Sequence, residues 1–340
     1  MSKVFSSVLL LILCCAAGPV AAREELRFSW PAACTTGQSC WIVNYPDVDP
    51  QENVALDYRC ESQTYDGHHG TDIALADMVD MEQGVDVLAA ADGKILRLRD
   101  GEQDRIRAAK ERQSLLEEDK GCGNGVFIDH GNGWQSIYCH MKNGSLLVKP
   151  GQVVKSGQKI GEIGLSGASE FPHLHFGVFH DGKVIDPFTG MEKSKGCGHD
   201  PSQGLWRDQK GEKDEIAVYA AGFSSAPPDF EALKIDTFAP PRMRHDVGAL
   251  VFWIAWYGAR QGDVLSMRIY RPDGSLLVEK NTVQKKNQAR QFLFLGKKSP
   301  PGHFEQGVYK GEFQVKREIQ DQDGIVRTLG KITERQVRLD

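Results

Sequence analysis

The sequence has no apolar run long enough to cross a bilayer as a helix, which takes about 20 residues. Its longest apolar runs, residues 8–17 and 247–257, are shorter than that. The formal net charge of −5 gives no general electrostatic attraction to nucleic acid. The chain also lacks the C-x-x-C pairs of zinc–cysteine sites, and Ser166 lacks the G-x-S-x-G context of a nucleophilic serine. These absences exclude a multi-span membrane protein and discount serine-based catalysis.

The composition that remains is that of a soluble globular protein, with 40% hydrophobic and 26% charged residues. Between Tyr65 and Phe188, short apolar segments alternate with glycine turns, which predicts a mainly β fold. Residues 85–90 and 94–98 flank Asp92-Gly93 and predict a hairpin. The 340 residues are enough for two domains of ordinary size.

The chain divides into five segments by composition. We expect a signal peptide (1–22), an N-terminal extension (23–60), a β domain (61–190), a linker (191–222) and a C-terminal β-sandwich-like module (223–340). Residues 99–120 hold 13 charged residues and predict a solvated helical insertion. Residues 247–257 predict a buried strand, and 264–270 with 276–279 a hairpin.

The first 22 residues have the parts of a secretory signal: Lys3, the apolar run 8–17, and Val20-Ala21-Ala22. We therefore expect a mature chain that begins at Arg23 and is exported to the periplasm or the extracellular space. A retained membrane anchor is one alternative. A lipoprotein is another, although Cys14 and Cys15 lie inside the apolar run.

Six cysteines follow the signal, and an even number in an exported chain predicts disulfides. They are Cys34, Cys40, Cys60, Cys122, Cys139 and Cys197. Cys34 and Cys40 enclose a turn-prone segment, so we expect them to pair. Cys122 and Cys139 flank a hairpin expected from residues 126–129 and 134–138, and they form the second expected pair. The full connectivity stays open.

Histidines in three short motifs carry the chemical signal. The motifs are G-H-H-G-T-D-I around His68 and Asp72, I-Y-C-H-M around His140, and F-P-H-L-H-F-G around His173 and His175. Residues two or four apart share a face of an extended segment, which pairs His173 with His175 and His68, rather than His69, with Asp72. Two imidazoles and one carboxylate suit Zn²⁺ and leave a position for water.

These motifs resemble those of the lysostaphin/LytM-type zinc endopeptidases. The similar blocks are H-x-G-x-D from His68 to Asp72, Y-x-H from Tyr138 to His140, H-L-H-F from His173 to Phe176, Gly164-Leu165-Ser166-Gly167 and Asp186-Pro187-Phe188. The resemblance covers residues 65–188, and not residues 23–60, the insertion or the C-terminal region.

The resemblance implies a small antiparallel β-groove, the duplicated hybrid motif. It implies one Zn²⁺ per chain, held by His68, Asp72 and His175, with His140 and His173 as the catalytic histidines beside it. One of these two would move the proton of the attacking water and the other would hydrogen-bond the oxyanion. The sequence does not decide which, and we place the general base on His140 as a preference.

The family's substrate is the peptide part of bacterial peptidoglycan. The resemblance therefore implies a zinc metalloendopeptidase that hydrolyses peptide cross-links, at D-Ala–diaminopimelate bonds. The alternatives are a non-catalytic wall-binding protein or activator of a murein amidase, a secreted glycyl-glycine endopeptidase, and a broader secreted protease. Peptidoglycan peptide stems are the expected partner, with no nucleic acid and no membrane span after signal removal. The oligomeric state is open.

Overall fold

The computed structural model describes residues 26–208, 216–320 and 326–340. The expected signal peptide, with Cys14 and Cys15, lies outside these ranges. Within them, no helix has the length and apolar character that crossing a membrane requires.

The part of the chain before residue 190 is built mostly from strands. They are β1 (Trp41–Asn44), β2 (Thr71–Ala74), β3 (Asp86–Leu88), β4 (Gly93–Arg99), β5 (Asn124–Gly131), β6 (Trp134–Met141), β7 (Val153–Val154), β8 (Lys159–Glu162), β9 (His173–His180) and β10 (Lys183–Ile185). Two α-helices accompany them, α1 (Met78–Gln83) and α2 (Ala109–Glu117).

Eight of these strands form one antiparallel sheet in the order β1-β2-β9-β6-β5-β4-β7, with β10 also paired to β9, and β3 and β8 form a separate two-stranded sheet. Leu174 and Phe176 of β9 are fully buried in the hydrophobic core with Ile73 and Tyr138. Because side chains alternate along a strand, His173 and His175 face away from that core. The described part of the expected extension, residues 26–60, supplies the edge strand β1 of this same sheet.

Local pairing was predicted with mixed success. Strands β5 and β6 pair as the expected hairpin, and disulfides join Cys34 to Cys40 and Cys122 to Cys139 as expected. A third disulfide joins Cys60 to Cys197. The hairpin expected from residues 85–90 and 94–98 is wrong, because β3 pairs with β8 whereas β4 pairs with β5 and β7.

The charged insertion is helical only over α2, which has no buried residue. Before it, residues 100–108 run without regular structure, and Arg107 is buried there. The Arg107 guanidinium forms an ion pair with Glu102 and donates to the carbonyl of Leu165. The helix is therefore shorter than expected, because the first half of the insertion is held by side-chain and backbone contacts instead.

The C-terminal region contains the remaining strands and a short helix. They are β11 (Ala217–Ser224), α3 (Ala232–Ile235), β12 (Arg242–Met243), β13 (Ala249–Ala259), β14 (Val264–Tyr270), β15 (Leu276–Val283), β16 (Gln288–Lys298), β17 (Gly307–Gln320) and β18 (Val326–Leu339). A three-stranded sheet, β11-β13-β16, and a five-stranded sheet, β12-β18-β17-β14-β15, contribute to one core. The expected β-sandwich-like fold is confirmed, including the β14–β15 hairpin and the buried strand β13.

The three-stranded sheet packs against the end of the first sheet. Trp41 of β1 lies in one buried cluster with Tyr219 and Tyr257. The Tyr257 hydroxyl donates to the carbonyl of Leu75 over 2.6 Å, and Arg290 donates to the carbonyl of Ala76 over 3.3 Å. These contacts fix the C-terminal region directly beside strand β2.

Tyr257→Phe tests this interface. The substitution leaves the buried Leu75 carbonyl without its donor, so we expect a loss of about 1–3 kcal/mol in the free energy of unfolding. Denaturant unfolding measures it. Tyr270→Phe, on the half-buried β14, is the matched control and is expected to change stability by less than about 0.5 kcal/mol. Equal stability of both variants and the wild type would contradict the interface.

Asp186→Asn tests a buried carboxyl of the first sheet's periphery. Burial is the main cause that raises the pKa of Asp186 to about 7, although the Phe188 amide and the Thr189 hydroxyl donate to it. The folded state thus binds a proton that the unfolded state releases near its ordinary pKa. The contribution of the Asp186 carboxyl to the free energy of unfolding is therefore complete below about pH 4, and it is lost as the pH rises to about 7.

We therefore expect the wild type's free energy of unfolding to fall between pH 4 and pH 7, and Asp186→Asn to flatten that fall. Denaturant unfolding at several pH values measures the slope. Asp181→Asn, with 73% of its side chain exposed, serves as the control and keeps the wild-type slope. Parallel profiles for Asp186→Asn and the wild type would rule out this proton linkage.

Candidate metal centre

Three neighbouring strands bring together residues that are far apart in the sequence. Strand β9 lies between β2 and β6. Its His175 is opposite Asp72 on one side and Cys139 on the other. His140 follows Cys139 on β6, and His173 lies two residues before His175. The sheet order therefore places one carboxylate and three imidazoles at one position.

His68, Asp72 and His175 are in mutual contact. The Asp72 Oδ1 atom lies 3.0 Å from His68 Nε2 and 2.9 Å from His175 Nδ1. The two imidazole nitrogens are 3.1 Å apart. Each residue thus presents one ligand-type atom to the same small volume.

The charge at this position is deeply buried, with Asp72 only 2% exposed. Burial alone would raise the pKa of the Asp72 carboxyl. The contacts with His68, His173 and His175 outweigh that effect and hold its pKa well below the usual value. The carboxylate therefore remains ionised, as a metal ligand must be.

Two residues that the sequence analysis missed orient these groups. The carbonyl of Tyr45 lies 2.7 Å from His68 Nδ1, which leaves Nε2 to face Asp72. Asn44 Nδ2 donates to Asp72 Oδ2 over 2.8 Å, which leaves Oδ1 facing the histidines. Both residues lie at the end of β1, in a segment without a sequence period, and no local signal could have revealed them.

His140 and His173 lie beside this group with their rings 4.6 Å apart. His140 Nδ1 is 2.8 Å from the carbonyl of Ser166, and His173 Nδ1 is 2.9 Å from the carbonyl of Phe171. Because a carbonyl only accepts, each Nδ1 carries a proton, and Nε2 is the ring atom left to exchange one. The His173 Nε2 atom points towards Asp72, at 3.7 Å from Oδ1.

His140 is held firmly at both its ring and its backbone. Its φ of 60° lies in the left-handed region, which is unfavourable for a residue with a side chain. Its amide donates to the carbonyl of Cys122, and Cys122 is disulfide-bonded to the adjacent Cys139. Burial, followed by the nearby His173 and His175, lowers the pKa of His140 well below the ordinary value, so the ring is neutral.

The charged insertion also contacts the edge of this site. Asp104 accepts hydrogen bonds from the amides of Asn143 and Leu165, and Arg112 pairs with Glu170. Leu165 directly precedes Ser166, whose carbonyl orients His140. The insertion is therefore bonded to the loop that positions this imidazole.

The structure brings together every predicted site residue: His68, Asp72 and His175 in contact, with His140 and His173 adjacent. His68 is favoured over His69 by the local fold, and not by the alternation of an extended segment. His68 precedes strand β2 and lies in a turn, where its carbonyl-bonded ring turns inward, whereas His69 is exposed. The H-x-H expectation holds as stated, since His173 and His175 lie on β9 and Leu174 is buried on its opposite face.

The donor set fits a zinc ion. Two imidazole nitrogens and one carboxylate oxygen, all within 4.8 Å of one another, are the ligand types and number of an open zinc site. Their roles as ligands remain a prediction, as do the catalytic roles of His140 and His173.

Comparison with known proteins finds relatives of the segment that carries this site. Residues 66–187 match the model of peptidase family M23. The peptidoglycan DD-endopeptidase ShyB of Vibrio cholerae is 31% identical over 119 residues, which are 35% of this chain and 22% of that protein. The murein hydrolase activator NlpD of Escherichia coli is 40% identical over 68 residues, 20% of this chain and 17% of NlpD.

Two further relatives match this chain over larger fractions of its length. The Escherichia coli lipoprotein YgeR is 31% identical over 161 residues, 47% of this chain and 49% of YgeR. A zinc-containing peptidase from Vibrio cholerae, known from its crystal structure, is 27% identical at a TM-score of 0.28, covering 43% of this chain and 39% of that one.

The chain spans about half the length, or less, of the curated relatives it matches. The matched range 66–187 includes strands β2, β6 and β9 and the turn of His68, and it stops short of the C-terminal sheets. The part of the chain that is similar to peptidase family M23 is therefore residues 66–187, the part that carries the candidate metal centre.

Proposed function

We propose that this protein is a zinc-dependent endopeptidase that hydrolyses peptide cross-links of bacterial peptidoglycan. The observation that carries the proposal is the mutual contact of His68, Asp72 and His175 beside two further oriented histidines. Such a group combines a three-residue metal site with groups that can move protons, and hydrolysis of an amide needs both.

A zinc ion bound there would supply Lewis acidity towards the scissile carbonyl and would lower the pKa of a coordinated water towards about 7. The protein's part is to hold the ligands. The Tyr45 carbonyl and the Asn44 amide fix the His68 ring and the Asp72 carboxylate, so little reorganisation is required on metal binding.

His140 and His173 would divide the proton transfer and the stabilisation of negative charge. Each has a protonated Nδ1 bonded to a backbone carbonyl, which leaves Nε2 to exchange a proton. We assign the general base to His140, because its buried neutral ring can accept a proton. His173, nearer to Asp72, would then donate to the developing oxyanion after protonation.

We infer that the cleaved bond is D-Ala–diaminopimelate, supported by the relative named as a peptidoglycan DD-endopeptidase. Action on peptidoglycan would require a location outside the cytoplasm. The three disulfides support an oxidising compartment, for which we propose the periplasm or the extracellular space.

A second candidate is a non-catalytic activator of a murein amidase, as one relative is named a murein hydrolase activator. The observation that favours it is the recess of the site, where His175 is the most exposed of the three ligand residues with 13% of its side chain accessible. Against it stands the presence of all five residues in the arrangement described above.

His68→Ala tests the metal site through zinc binding alone. Equilibrium dialysis of the purified chain is expected to give one zinc per wild-type chain, and an affinity at least about 100-fold lower for the variant. His69→Ala is the matched control, because His69 is adjacent in sequence but exposed and outside the cluster. Equal losses in both variants would refute the assignment of His68.

Digestion of purified sacculi tests the reaction. The wild type is expected to convert cross-linked muropeptide dimers to monomers, seen by mass analysis after muramidase, and a chelator abolishes the conversion. His140→Ala and His173→Ala are expected to slow it by about 10²–10⁴-fold while retaining zinc.

His199, half-buried and outside the group of site histidines, provides a control variant, His199→Ala, expected to match the wild type. If the dimers stay unchanged and the protein instead accelerates digestion by an added murein amidase, the activator replaces the endopeptidase.

A further inference from the structure

The C-terminal region contacts the segment that follows the metal-site strand. Strand β2 carries Asp72, and the next three residues, 75–77, each bond to the C-terminal region. Tyr257 and Arg290 donate to the first two carbonyls, and the amide and hydroxyl of Thr237 donate to Asp77 at 2.8 and 2.7 Å. The position of the C-terminal sheets relative to the site is therefore fixed by buried hydrogen bonds.

A cleft of about 190 Å³ lies along this contact. One wall is formed by residues 43–44 and 62–65, and the other by residues 258–260 and 287–289. We call this space the interdomain cleft. It is smaller than the roughly 300–1,000 Å³ of a typical small-molecule site, so it suits a short section of a larger substrate.

The interdomain cleft reaches the metal centre through two of its residues. Asn44 donates to the Asp72 carboxylate. Tyr65 places its ring 4.4 Å from the His68 ring, although 53% of the tyrosine is exposed. A molecule bound in the cleft would therefore touch side chains that themselves touch two of the three candidate ligands.

Most of the residues that line the cleft have uncharged polar side chains. Asn287 accepts from the Gln261 amide through Oδ1, and Gln288 accepts from Gln284 and Gln291 through Oε1. In the described ranges, this leaves the side-chain NH₂ groups of Asn287 and Gln288 without a protein acceptor. The charge of Arg260 is paired with Glu61 at 2.9 Å. Neutral donors and acceptors match the amide groups of a peptide better than an ionic group.

We propose that the interdomain cleft binds the peptide chain on one side of the scissile bond. The C-terminal region is then part of the substrate-binding site, and not a separate wall-anchoring module. This inference rests on the proposed function, since the peptide in question is a stem of cross-linked peptidoglycan.

The test compares kcat and KM of the full chain on a purified cross-linked muropeptide dimer. Asn287→Ala and Gln288→Ala are each expected to raise KM about threefold to tenfold, the value of one hydrogen bond, with kcat unchanged. Asn281→Ala and Gln336→Ala remove exposed amides from the other sheet of the same region and are expected to keep the wild-type KM. Thermal unfolding of all four variants identifies any that are misfolded.

A second measurement does not depend on hydrolysis. Calorimetric titration with an uncross-linked stem tetrapeptide is expected to show weaker binding by Asn287→Ala than by Asn281→Ala. If the wild type hydrolyses the dimer and KM is the same in all variants, the cleft assignment is overturned and the endopeptidase stands. If the wild type does not hydrolyse it, the proposed function fails, and the titration decides the cleft: weaker binding by Asn287→Ala supports it, and equal or absent binding overturns it.

Discussion

The burial of one carboxylate, that of Asp72, is the constraint on which the site depends. An ionised carboxylate in a protein interior is costly unless opposite charge or hydrogen bonds compensate it. Here the compensation comes from His68 four residues away and from His175 on a strand 103 residues away. The sheet order β2-β9-β6 is what brings these partners together, and the orienting contacts from Asn44 and Tyr45 are added from β1.

The sequence was most informative where a pattern has a short period. The H-x-H of β9 predicted one shared face, and Leu174 between the two histidines is buried on the other. The buried strand β13 and the disulfide across the β5–β6 hairpin could likewise be predicted from the sequence, because both depend on residues that are close along the chain.

Pairing between strands that are distant in the sequence could not be predicted in the same way. The turn signal Asp92-Gly93 predicted a hairpin, yet β3 pairs with β8, which lies some seventy positions further along the chain. Asn44 and Tyr45 reach the site only because β1 pairs with β2. The inward orientation of His68 depends on the carbonyl of Tyr45. The spacing of an extended segment therefore predicted the right residue, although His68 lies before β2 and not in an extended strand.

The disulfide between Cys60 and Cys197 spans 137 positions and encloses every residue of the candidate site. Closing a loop of that length restricts the unfolded chain and, in the chain-entropy model, stabilises the folded state by about 5 kcal/mol. The disulfide also limits the effect of a proteolytic cut within the loop that it closes. A single cut in the exposed helix α2 would break the chain between His68 and His140 and still leave the two pieces covalently joined, so the domain can be cut there without its halves separating.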